Sequence, residues 1–205
     1  GFDNFFPTYQ FLKALIKNVD NFQVDNDHLM IISPDEGAMS RAVYFSNILG
    51  VDMGMFYKRR DYSTVVNGKN PIVAHEFLGT SVEGKDMIII DDMISSGESM
   101  LEVAAALKER KANKIFVFST FGLFTNGLDK FDKAYENGII DKVLTTNLIY
   151  QTPELLQREW YINCDMSKYI AYIIDTLNHD SSISDLLNPN ERIQNIVAKY
   201  KKGEL

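Results

Sequence analysis

The 205-residue chain reads as an α/β protein with a mostly parallel sheet flanked by helices, and three observations predict it. Helical patterns alternate with short apolar runs, the order that covers both faces of a parallel sheet. The apolar runs are continuous rather than alternating, "MIIID" at 87–91 above all, as strands buried on both faces require. Hydrophobic residues make up 45% of the chain and charged residues 24%, ample for one buried core with a small extension.

The elements follow in order. Residues 7–19 form a helix, with Pro7 near its start and Tyr9, Leu12 and Ile16 at helical spacing. "HLMIISP" (28–34) is a buried strand that Pro34 ends. Residues 35–50 are helical, with acids at the N-terminal side and Gly50 as the stop. Strands are predicted at 51–57, 87–91, 114–121, 142–147 and 160–166, and the strongest helix begins at Glu98. A late helix spans 167–179, with Ser167 as N-cap. The polar end of the chain, 189–205, reads as a helix appended to the surface of a domain spanning 1–188.

Charge and cysteine content narrow the class. A net charge of −7 argues against a nucleic-acid surface and confines phosphate contacts to local sites. Cys164, the one cysteine, excludes an internal disulfide and fits a reducing compartment. No apolar run reaches the length of a bilayer span, and no signal peptide is visible, so a soluble, cytoplasmic protein without membrane contact is expected. Gly1 stands where an initiator methionine would, and "GFDNFFPTYQ" reads like the middle of a longer chain.

In parallel sheets ligands gather at the carboxyl ends of strands. At one such exit the apolar run meets Asp91 and Asp92, and a small-residue turn (Ser95, Ser96, Gly97, Glu98, Ser99) leads into a helix. Converging amides, hydroxyls and the helix N-terminus suit a phosphate. Two adjacent carboxylates suit the vicinal hydroxyls of a ribose, or Mg²⁺. One short loop would then hold a ribose phosphate by both ends, with Glu98 pointing away from the phosphate. The alternative is an ordinary turn with capping serines and solvated acids.

An apolar strand, two acids and Ser96-Gly97-Glu98-Ser99 resemble the ribose-phosphate signature of type I phosphoribosyltransferase folds. Two further exits resemble one branch of them, ribose-phosphate diphosphokinase. "SPDEGAMSRA" (33–42) is similar to a segment of that family whose aspartate helps hold the Mg²⁺ of MgATP, which implies that role for Asp35 on the diphosphate side. Gly37 permits close backbone approach there. Capping of the next helix by Asp35 is the other reading, and Arg41 reads either as a phosphate contact or as a surface ion pair. "YKRRDYSTVVNGKNPIVAHEFLG" (57–79) places Lys58, Arg59 and Arg60 at a strand end before a long polar loop with turn signals at Asn67-Gly68 and Asn70-Pro71. The resemblance implies a flexible catalytic loop in which Lys58 and Arg60 stabilise the charge that builds on the transferring diphosphoryl group.

The resemblance extends from Gly1 to about Leu187, with Phe121 in place of a family histidine. It implies MgATP and ribose 5-phosphate as substrates, phosphoribosyl pyrophosphate and AMP as products, and a homo-oligomer. It covers only the C-terminal half of the family's proteins. Most of the adenine-binding surface and a metal-binding histidine belong to the missing N-terminal half, so negligible activity is expected of these 205 residues alone. A phosphoribosyltransferase using phosphoribosyl pyrophosphate and a base, or a non-catalytic ribose-phosphate-binding homologue, are the competing readings. His28, His75 and His179 show no metal-ligand spacing, and Cys164 reads as core.

Overall fold

The computed structural model describes residues 3–60 and 72–204, with the side chains of 58–60 and 72–75 outside the description. In chain order the elements are α1 (Thr8–Asn18), β1 (Leu29–Ser33), α2 (Met39–Leu49), β2 (Met53–Arg60), β3 (Ile72–Leu78), β4 (Asp86–Ile94), α3 (Glu98–Glu109) and β5 (Ile115–Gly122). They continue with α4 (Asp129–Glu136), β6 (Lys142–Thr146), α5 (Pro153–Leu156), β7 (Tyr161–Cys164), α6 (Ser167–Asn178), α7 (Ser184–Leu187) and α8 (Asn190–Lys201). The strands form one seven-stranded sheet in the order β3-β2-β1-β4-β5-β6-β7. Every pairing is parallel except that of the edge strand β3 with β2.

Side chains that alternate along a strand divide the core in two. Ile31, Ile88, Ile90, Phe116 and Phe118 point to the layer that holds Phe11, Leu12 and Leu15 of α1 and Phe45 of α2. Met30, Ile32, Ile89, Ile115 and Val117 point to the opposite layer, with Val103 and Leu107 of α3 and Phe131 of α4. Both layers are apolar at successive positions, which is why these strands read as uninterrupted hydrophobic runs.

Several boundaries differ from expectation. β4 does not stop at Asp91; it continues to Ile94 because β5 keeps pairing with it, Met93 opposite Phe121 and Ile94 opposite Gly122. The long polar loop expected after the strand end at Lys58–Arg60 includes strand: its last part, Ile72–Leu78, is β3. β2 extends through Arg60, and β3 returns antiparallel with Lys58 opposite His75. Backbone pairing to an edge strand overrides the weak periodicity there. The turn signals at Asn67-Gly68 and Asn70-Pro71 lie outside the described residues.

α2 begins at Met39 rather than Asp35, and Gly50 terminates it in the left-handed region at φ 66°. Ser167 is the first residue of α6, not its cap. The capping is done by Asp165, whose Oδ1 accepts from the Ser167 amide at 2.9 Å and hydroxyl at 2.6 Å. The short α5 and the helix α4 were not anticipated. The end of the chain is helical, but α8 is not merely laid on the surface. It buries Ile193, Ile196 and Val197 in the layer of α1 and α2, and Gln194 donates to the Ile48 carbonyl at 2.7 Å.

Candidate functional site

From β1 the chain moves outward to β2 and β3, then crosses to β4 on β1's other side. Successive connections therefore diverge between the carboxyl ends of β1 and β4, the place where open α/β sheets form a crevice. β1 ends at Ser33 while β4 runs on past Asp91 and Asp92. The space beside the two acids is filled by the turn that leaves β1 and by the first turn of α2.

That turn is built by its own hydrogen bonds. The buried Ser33 hydroxyl donates to the Asp35 carbonyl at 2.6 Å, and Asp35 Oδ1 accepts from the Ala38 amide at 3.1 Å. Asp35 thus closes the turn before α2 rather than capping the helix itself, whose N-cap position is Ala38. Gly37 lies against that carboxylate: a Cβ there would come within 3.2 Å of Asp35 Oδ1.

Arg41 reaches across from α2 to both strand acids, with Nη2 at 3.4 Å from Asp91 Oδ1 and 3.1 Å from Asp92 Oδ2. The ion-pair reading of Arg41 is therefore observed, and its partners are the candidate ribose ligands, the part-buried Asp91 and the exposed Asp92. Its Nε is buried without a hydrogen-bond partner. Burial pushes the Asp91 carboxyl above the ordinary range. The Asp92 amide, donating to Asp91 Oδ1 at 2.8 Å, pulls it back, while the charges of Asp92 and Asp35 raise it further. Two carboxylates thus share one guanidinium at the switch point, with the charge of Asp35 acting on Asp91 beside them.

Beyond Ile94 the turn passes through Ser95, Ser96 and Gly97 into α3. Gly97, at φ 78°, immediately precedes the helix, and a Cβ there would sit 2.3 Å from the buried Phe131 ring. Only glycine satisfies both conditions. The turn is tied to the loop after β5, since Thr125 donates its amide to the Ser95 carbonyl at 2.9 Å. Glu98 pairs with Lys130 of α4, which holds its carboxyl below the usual range. Its charge is thereby directed to α4. The Ser96 hydroxyl accepts from the Glu98 amide at 3.5 Å, and Ser99 lies in the first turn of α3.

The structure brings Asp35, Gly37, Asp91 and Asp92 together at the carboxyl ends of β1 and β4, with the turn of Ser95, Ser96, Gly97 and Ser99 on the extension of β4. Lys58 and Arg60 fall on the last residues of β2, and their side chains and the expected loop at 61–71 lie outside the described residues. Arg41's bridging role and Lys130's hold on Glu98 were not anticipated. The first had a signal, a basic residue one turn into the helix that follows Asp35; the second, between residues 32 apart, had none. Among the described residues no group of three or more His, Cys, Asp or Glu could enclose a metal ion. Asp35 and the Asp91–Asp92 pair fit a Mg²⁺ held mainly by substrate phosphates and water, for which one or two carboxylates suffice.

A mostly parallel seven-stranded sheet with this crevice defines a type I phosphoribosyltransferase-like domain. The fold is shared with phosphoribosylpyrophosphate synthetase from Mycobacterium smegmatis, at a TM-score of 0.64 and 21% identity, over 82% of this chain and 51% of that one. The family model of the phosphoribosyl synthetase-associated domain matches residues 58–188, and the chain belongs to that family. Ribose-phosphate pyrophosphokinase of Vibrio parahaemolyticus is 30% identical over 91% of this chain and 54% of its own length. That of Shewanella oneidensis is 32% identical over 79% of this chain and 49% of its own. The chain thus spans about half the length of the curated relatives it matches, their C-terminal region.

Proposed function

We propose that the chain forms the ribose-phosphate side of a ribose-phosphate diphosphokinase, which transfers the diphosphoryl group of MgATP to ribose 5-phosphate. The observation that carries this reading is the acid pair at the β1–β4 switch point, continuous with the serine-glycine turn at the start of α3. Asp91 and Asp92 accept hydrogen bonds from the ribose hydroxyls. Amides and hydroxyls of Ser95, Ser96, Gly97 and Ser99 hold the 5-phosphate, assisted by the N-terminal end of α3. Because Arg41 already spans the acids, the sugar competes with it or shares it, and the guanidinium keeps the two carboxylates in place between turnovers.

Asp35 and Gly37 face the diphosphate side, where Asp35 offers a hard oxygen to Mg²⁺ and Gly37 leaves room for phosphate oxygens. A magnesium ion held by Asp35 there would neutralise charge on the transferring group. Lys58 and Arg60 supply positive charge as negative charge builds on that group. The ATP pocket depends on the remaining half of the relatives' length, and the family resemblance implies assembly into a homo-oligomer.

Calorimetry with ribose 5-phosphate tests the reading. Asp91→Ala and Asp92→Ala should each weaken binding at least about tenfold, roughly 1.4 kcal/mol. Parental affinity in both variants would falsify the sugar assignment. Lys58→Ala should cut phosphoribosyl pyrophosphate formation about a hundredfold or more when the remaining half is supplied, without weakening sugar-phosphate binding. Unchanged turnover would leave a binding protein rather than an enzyme.

A further inference from the structure

Away from the acid pair, on the β7 side of the sheet, α1, α6 and α8 enclose two adjoining cavities of about 550 and 350 Å³. Tyr9, Lys13, Lys17 and Arg192 line both, so the two form one groove. Lys168 adds a cation at one end and Lys199 at the other. Five cations therefore converge on one concavity of a chain whose net charge is −7. Asp165 is the acid in the lining, and its carboxylate is taken up by Ser167 and by Asn147 at 2.9 Å.

The placement is built by the fold. Tyr9, Lys13 and Lys17 follow at intervals of four on the face of α1 away from the core residues Phe11, Leu12 and Leu15. Arg192 and Lys199, seven apart, share the corresponding face of α8, whose buried Ile193, Ile196 and Val197 fix it against α1. Among the described residues none of the five cations has a carboxylate at ion-pair distance. Arg192 donates to the Asp185 carbonyl at 2.7 Å, which pins its guanidinium at the rim. Uncompensated like charges crowded into a concave wall repel one another and raise the local potential, an arrangement that an anion relieves.

Aromatic surface accompanies the charge. Tyr172 is 47% exposed, with the Lys168 ammonium 5.6 Å from its ring centre, and Tyr169 is anchored through its hydroxyl to the Leu186 carbonyl at 2.6 Å. The volume lies in the range of small-molecule sites.

We infer that this groove is a second ligand site, separate from the ribose-phosphate crevice, for a small molecule carrying an oligophosphate chain. The lysines of α1 and the basic residues of α8 take the phosphates, and Tyr172 flanks whatever the chain is attached to. Two sources share that chemistry, a free inorganic oligophosphate and a nucleotide. The site depends on α8, which lies beyond the residues matched by the family model.

Titration calorimetry with tripolyphosphate and with ATP tests the proposal, each on the 205-residue protein, the Lys13→Gln/Lys17→Gln variant and a Lys111→Gln/Lys133→Gln control of equal charge change. Thermal melts check that both variants fold. Tripolyphosphate should bind the parent and the control alike and the Lys13/Lys17 variant at least tenfold more weakly, an effect that Asp91→Asn should not reproduce. Equal affinity for ATP and tripolyphosphate would identify the inorganic chain as sufficient; tighter ATP binding with resonance shifts at Tyr172 would identify a nucleotide. The proposal is overturned if neither binds, or if both double variants lose affinity equally. It is also overturned if a polyglutamate peptide binds where the oligophosphates do not, which would make the groove a docking surface for an acidic partner.

Discussion

Replacing Gly97 by alanine tests how the turn before α3 is held. Two costs add. At φ 78° a residue with a Cβ carries a strain of about 1–2 kcal/mol. The new methyl would also lie 2.3 and 2.4 Å from two atoms of the Phe131 ring. That ring cannot retreat freely, since it is fully buried, stacked on Trp160 at 5.4 Å and edge-on to Phe124 at 5.1 Å. Overpacking of this kind costs about 1–3 kcal/mol, so the sum is about 2–5 kcal/mol. Gly138→Ala is the matched control, because it has a similar φ of 67° and open space around the added carbon. It should cost about 1–2 kcal/mol only. Urea unfolding should separate the two variants by about 1–3 kcal/mol at constant m, or about 2–12 °C in Tm for a protein of this size. In a double-mutant cycle, Phe131→Leu should relieve part of the Gly97→Ala penalty. Equal destabilisation by the two alanines, or strict additivity with Phe131→Leu, would refute the steric account.

Other outcomes follow from the same geometry. The folded pKa of Asp91 is raised, so the native state binds more protons than the unfolded chain between the ordinary and the raised value, and stability falls as pH rises through that window. Asp91→Asn should therefore stabilise the fold at neutral pH, with the gain vanishing below the ordinary carboxylate range; a gain independent of pH would contradict the assignment to charge. Asp132 receives both Arg158 Nε, at 2.9 Å, and the buried Trp160 Nε1–H, at 2.7 Å. Asp132→Ala should cost about 1–3 kcal/mol in denaturant unfolding, because it strands an indole N–H; a change within a few tenths would show that water replaces the carboxylate. Ile193 is fully buried on α8, and Ile193→Ala should cost about 2–5 kcal/mol. A neutral effect would mean that the last helix is dispensable to the core.

The readable parts of the fold were those whose information is local in the chain. Runs such as 29–32 and 87–90 are apolar at every position because both faces of their strands are covered, and that pattern survives in one dimension. Asp91 and Asp92 were visible as charges that a buried strand would not tolerate. The continuation of β4 to Ile94 was not visible, because it depends on β5 still lying alongside. β3 was hidden for the same reason: the polar composition after Arg60 argues for loop, and only the partner β2 makes strand of Ile72–Leu78. The tail misled through its average polarity, although Ile193, Ile196 and Val197 are spaced to form one apolar stripe.

Sequence alone determined the layered α/β class, the family resemblance and the acid pair beside a small-residue turn, because periodicity and residue chemistry are written along the chain. Tertiary structure alone decided that Arg41 spans Asp91 and Asp92, that α1 and α8 gather their lysines and arginine into one groove, and that Phe131 forbids a side chain at Gly97. Each of these joins residues from different elements, and their distances exist only once the sheet has ordered its strands.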